Sequence, residues 1–119
     1  MAPALVPFPA AEVADAIAEL RRVARLVDDA GLQLDTSRVA VEGDWRGGHR
    51  DDFDVFAPAL VQRHGDLATQ LRNLAGDLAD AQAAVTRENR RRTEAAAAAA
   101  ERERSCPGER VPGHPQIPC

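Results

Sequence analysis

The sequence predicts an all-α fold: an antiparallel helical hairpin with a Trp-X-Gly turn, pairing into a four-helix bundle as a dimer. Three observations carry this. Two long stretches place apolar residues three and four positions apart, the repeat of an amphipathic helix. One short segment, rich in glycine, separates them. The alphabet favours helix throughout, with abundant Ala, no Lys, and aromatics limited to Trp45, Phe8, Phe53 and Phe56. At 119 residues the chain is long enough for one domain and too short for two independent cores.

Residues 1–9 form a proline-rich segment, with Pro3, Pro7 and Pro9 disfavouring helix until Ala10. Val13, Ala16, Leu20, Val23, Val27, Ala30 and Leu34 then step by three and four, widened by Ile17 and Ala24. This places the first helix at about 10–42. Gly31, Asp35, Thr36 and Ser37 weaken helix locally and predict a break or kink there. Three glycines around Trp45 mark the turn at about 43–49. Asp51, Asp52 and Asp54 suit the positive end of a second helix dipole. Phe53, Ala57, Leu60, His64, Leu67, Leu71, Leu74, Leu78, Ala81 and Val85 continue as a second seam, setting the helix at about 50–104. From Thr86 the large apolar residues give out, and an Arg/Glu/Ala-rich helix is expected to overhang the hairpin with nothing to bury. Residues 105–119, rich in Pro and Gly, read as a disordered tail.

Several function classes fall away on composition. A net charge of −4 lacks the dense basic face that nucleic acid requires. No window offers the roughly 18 apolar residues of a membrane span, so no membrane insertion is expected. The first nine residues have no basic n-region, so any export avoids the general secretory route. No grouping of nucleophile, base and acid or phosphate-binding glycine loop is visible, so neither catalysis nor a cofactor is expected. Cys106, His114 and Cys119 lack the fourth ligand and rigid frame of a structural zinc site, so no metal is assigned. A disulfide between the two cysteines and a pair of free thiols both stay open.

Area argues for pairing. Each helix stripe is wider than the strip one hairpin buries, with Phe56, Val61, Ala68 and Ala75 flanking the second seam. Burying a large apolar side chain contributes roughly 1.5–3 kcal/mol, against about 1–2 kcal/mol for ordering each backbone residue. A lone hairpin is marginal on these terms, and a four-helix bundle covers the remaining surface. The dimer and hairpin seam is assigned to Val13, Leu20, Val27, Leu60, Leu67, Leu71, Leu74 and Leu78.

Trp45, Arg46 and Gly47 form a Trp-X-Gly tripeptide in the turn, and Phe53 follows the Trp by eight residues at the start of the second helix. In these features the chain resembles the WXG family, the early-secreted-antigen-like substrates of type VII secretion, over roughly Ala10 to Glu103. The resemblance implies a leaderless protein of actinobacteria or related Gram-positive bacteria. Such a protein is cytoplasmic before export as a homodimer or heterodimer, and extracellular or surface-bound afterwards. Its partners are then a second copy, a paralogous WXG-like protein or the helical N-terminal region of a type VII toxin, together with the type VII secretion ATPase. Trp45 and Gly47 would belong to the secretion signal. The family's second signal, Tyr-X-X-X-Asp/Glu, has its nearest counterpart in Ala84 to Glu88, which keeps the acid and lacks the aromatic; the chain contains no Tyr.

Plainer roles stand beside these. Trp45 also reads as a plug for the hairpin end, and Gly47 as a conformational requirement of the turn. His64 sits among leucines either as a tolerated residue at the core edge or as a pH-sensitive dimer contact. Arg90, Arg91 and Arg92 read first as a solvated helix face, with Arg87 and Arg90 pairing weakly to Glu94 or Glu88. Two further functions stay open: a non-catalytic escort of a larger type VII toxin, and an intracellular coiled-coil scaffold.

Overall fold

The computed structural model describes residues 2–105. The tail with Cys106, His114 and Cys119 lies outside them, as does the disorder expected of it. The described residues form two helices and no strand: α1 (Ala10–Asp44) and α2 (Arg50–Ser105). Pro9–Ala81 makes one compact unit, and the described parts of Met1–Phe8 and Gln82–Cys119 make another.

In the first unit the two helices form a hairpin whose deepest line consists mostly of small residues. Ile17, Ala24 and Gly31 are the buried residues of α1, spaced by sevens, and Ala57, Ala68 and Ala75 those of α2. Ala24, Ala68 and Ala75 are wholly covered. Small side chains set a short distance between helix axes, because axis separation follows what stands at the contact. The closest approach is at Gly31, where a Cβ would lie 3.0 Å from the Cβ of His64. The His64 ring is directed along its own helix, with Nδ1–H donating to the Leu60 carbonyl at 2.8 Å.

The break expected in α1 near Gly31 to Ser37 does not occur; the helix runs unbroken to Asp44. Three of these four weak residues have a compensating contact. Gly31 is held by packing against His64, and the Thr36 hydroxyl donates to the Leu32 carbonyl at 3.0 Å. Arg38 joins Asp35 at 2.8 Å to Glu42 at 2.9 Å across one turn each way. The predicted turn is correspondingly shorter: Gly43 and Asp44 remain helical, and residues 45–49 link the helices. α2 also passes through Pro58, which removes the bond to the Asp54 carbonyl, without ending.

The seam residues fall into two groups. Val13, Leu20, Val27, Leu60, Leu71 and Leu78 are half-buried beside the small-residue line. Leu67 and Leu74, 46 % and 49 % exposed, open to solvent instead. With Ala68 and Ala75 covered on the line between the helices, these adjacent leucines are turned out to the flank.

Gly31→Leu is expected to destabilise the hairpin by about 2 kcal/mol, since the new Cβ meets an atom that no rotamer change can move. Gly76, whose Cβ position is open, should gain up to about 1 kcal/mol as Gly76→Ala. Urea denaturation midpoints of the two variants check both signs.

Candidate interaction surface

At the tip of the hairpin the turn is organised by one arginine. Arg50, the first residue of α2, donates through Nη1 to the carbonyls of Glu42 and Trp45, 2.8 Å each, and through Nε to Asp54 Oδ1 at 2.9 Å. It thereby satisfies carbonyls that the end of α1 leaves without helical partners. The Trp45 N–H donates to the Val41 carbonyl at 2.8 Å, and the half-buried indole meets Phe53 edge-on, ring centres 5.3 Å apart. Gly47 has φ +148° and His49 φ +68°. Glycine is needed at the first of these angles, and the second is a left-handed conformation that His tolerates better than most residues. The structure thus brings Trp45 and Phe53 into contact and gives Gly47 a conformational role.

The two sides of the hairpin differ in chemistry. Antiparallel helices turn in opposite senses when viewed end-on, so matching flanks of their stripes share one side. On one side lie Asp28, bridged to Arg72, together with Leu32, Asp35, Val61 and Gly65, around an open groove of about 370 Å³. On the other, Val13, Leu20, Val27, Leu34 and Val41 recur by sevens and drift only about 20° per heptad. They share that side with Phe53, Phe56, Leu60, Leu67, Leu71, Leu74 and Leu78 of α2. Val41, Phe56, Leu67 and Leu74 are exposed there, Phe56 by 66 %. Leu26 and Val55 are exposed singly on the outer faces of their helices, and such isolated residues need no partner. A second open groove of about 330 Å³ lies beside Ala40, Val41, Asp44 and Trp45.

The second unit corrects the expectation of a bare overhang. On this half of α2, Gln82, Val85, Asn89, Arg92 and Ala96 are half-buried, again stepping by three and four, and the N-terminal arm contributes half-buried Pro3, Val6 and Phe8. The arm is held by its main chain. The Val6 N–H donates to Asn89 Oδ1 at 2.7 Å, Asn89 Nδ2 donates back to the Val6 carbonyl at 3.1 Å, and Arg92 Nη1 donates to the Ala4 carbonyl at 2.8 Å. The stripe on this half of α2 thus has a segment without regular secondary structure as its partner. The sequence signal was present in the unbroken stepping and in Asn89, a poor helix former on that stripe.

Glu88 pairs with Arg91 at 2.7 Å and Arg92 at 2.9 Å, and not with Arg87 or Arg90 as the sequence pattern implied. Hydrogen bonds from Arg91 and then Arg92 lower its carboxyl from the ordinary 4.5 to about 2. Ala84, the other position of the degenerate signal, is exposed. Among the described residues no three His, Cys, Asp or Glu side chains gather as metal ligands would, and no helix is long and apolar enough to cross a membrane. Comparison of the chain with protein-family models, curated proteins and solved structures gives no match.

Because the folded value of Glu88 lies below its unfolded one, its contribution is complete above about pH 4.5 and is lost as pH falls toward 2. The protection of the Val6 amide, its exchange rate relative to the unfolded chain at the same pH, should therefore fall between those pH values, as Arg92 loses the carboxylate that orients it. Glu88→Gln should remove that step. NMR exchange measurements across the pH range check it.

Proposed function

We propose that this chain is a WXG-like type VII secretion target: a small helical hairpin exported as a homo- or heterodimer and acting through protein–protein contact. The observation that supports the reading best is the long apolar row on the Leu67–Leu74 side of the hairpin, set against the single Asp28–Arg72 bridge and exposed Leu32 on the other. A hairpin that leaves Val41, Phe56, Leu67 and Leu74 exposed beside a half-buried leucine row has a surface suited to a second hairpin. The contrast with the Asp28–Arg72 side gives that pairing a direction. The Trp45–Phe53 pair at the tip, with Trp45-Arg46-Gly47 in the link, is the part of the molecule that the WXG resemblance assigns to recognition by the export machinery and its ATPase.

The absence of Tyr supports a second reading, in which the chain escorts a larger type VII toxin whose helical N-terminal region completes the bundle and supplies the missing signal. The same face would then take a different helical pair.

Light scattering on the purified chain, alone and co-expressed with its genomic neighbours, separates the two. A helical dimer near twice 12.8 kDa in the isolated sample is the expected result for self-pairing, and a mixed complex formed only with a neighbour is the result for an escort. Export is tested in a type VII-competent host with and without its secretion ATPase. The protein should reach the medium only when the ATPase is present; retention in the lysate of both strains would leave the intracellular scaffold as the better account.

A further inference from the structure

Three bonds between the N-terminal arm and α2 share an unusual composition: each joins an α2 side chain to a main-chain atom of the arm. The Asn89 amide, with one acceptor and one donor side by side, meets both the N–H and the carbonyl of a single residue, Val6. That is the pairing one residue of a β-strand offers to its neighbour, supplied here by a side chain on a helix. Arg92 adds the carbonyl two residues earlier, and its guanidinium is steadied by Glu88 through Nε at 2.9 Å. None of these bonds depends on which side chains the extended segment carries; they require only an extended backbone with a free N–H at the position facing Asn89.

We propose that residues 82–96 of α2, through Asn89 and Arg92, form a binding site for the main chain of an extended peptide segment of a partner protein, and that the chain's own N-terminal arm is its tethered occupant. The arm is well suited to hold the place. Pro3, Pro7 and Pro9 fix φ and keep the segment out of helix, so little further ordering is needed on docking. Pro7 follows directly on Val6 and biases it toward extended backbone, the conformation in which its N–H and carbonyl are both presented to the Asn89 amide. Tethering adds an effective concentration on the order of mM, so a peptide in trans binds strongly only when it exceeds that or when the arm's own hold is weakened. The partner segment is thus an extended, proline-containing peptide with an unsubstituted N–H opposite Asn89. Val6 and Phe8, half-buried in the arm, indicate apolar residues at alternate positions. This site is independent of the apolar face of the hairpin and of the secretion reading.

The test uses the full chain carrying Val6→Pro, which deletes the N–H that Asn89 accepts and leaves Asn89, Arg92 and Glu88 in place. A free peptide of residues 2–9 is titrated into this variant and into the native chain, and the backbone amides of residues 82–96, present in every variant, are followed by NMR. Saturable shifts at a peptide concentration at least tenfold lower for Val6→Pro than for the native chain are expected. Those shifts should vanish in Val6→Pro/Asn89→Leu. Absence of saturable binding to Val6→Pro up to mM peptide, equal titration of the two chains, or binding that survives Asn89→Leu would each overturn the proposal. Circular dichroism on the same samples shows that α2 is intact in every variant compared.

Discussion

The close approach of the two helices at Gly31 and His64 is the constraint on which the hairpin depends. A Cβ on Gly31 would stand 3.0 Å from that of His64, and Ala24, Ala68 and Ala75 are fully covered along the same line. With contact made by residues this small, little room remains between the helices for leucine. The large side chains flank the line, half-covered where the opposite helix reaches them and exposed where it does not. Leu67 and Leu74 are exposed for this reason, and they extend the apolar row on one side, while the Asp28–Arg72 ion pair lies on the other beside exposed Leu32. An internal packing choice thus produces the external surface on which the proposed pairing rests.

The later half of α2 solves a different problem with the same helix. Its stripe carries Gln82, Asn89 and Arg92 among Val85 and Ala96, so the segment beside it must supply hydrogen-bonding groups as well as apolar contact. A second helix would present its main-chain groups already bonded within itself. An extended segment presents them free, and the proline-rich arm remains extended because it has no helical alternative. The division between helix and extended partner along α2 therefore follows from the residue types on its stripe.

Much of the hairpin was legible in the sequence, because three-four stepping is a strong signal for long amphipathic helices and Gly-rich segments mark their reversal. What the sequence hid depended on tertiary contacts. Gly31, Asp35, Thr36 and Ser37 read as a break, and only the opposing His64 and the Arg38 bridges to Asp35 and Glu42 show why the helix continues. Periodicity also ranked the leucines as the seam's centre, since it weighs size and not distance; the centre proved to be alanine and glycine. For the candidate sites, the Trp45–Phe53 neighbourhood was visible from spacing, whereas Arg50 as the organiser of the turn was not, because its carbonyl partners belong to the preceding helix and the link. The arm's docking escaped for a similar reason: its bonds go to main-chain atoms, and only Asn89 on the stripe of α2 hinted at them.

The proposed pairing requires that close packing inside the hairpin create a directional face outside it. The most direct measurement is solvent exposure of individual leucine methyls, read by NMR with a soluble paramagnetic probe while the protein concentration, or that of a co-purified partner, is raised. Leu67 and Leu74 should lose their exposure as association proceeds, and Leu26, on the outer face of α1, should keep its own. Equal loss at all three, or persistent exposure of Leu67 and Leu74 in an associated sample, would contradict the proposed pairing.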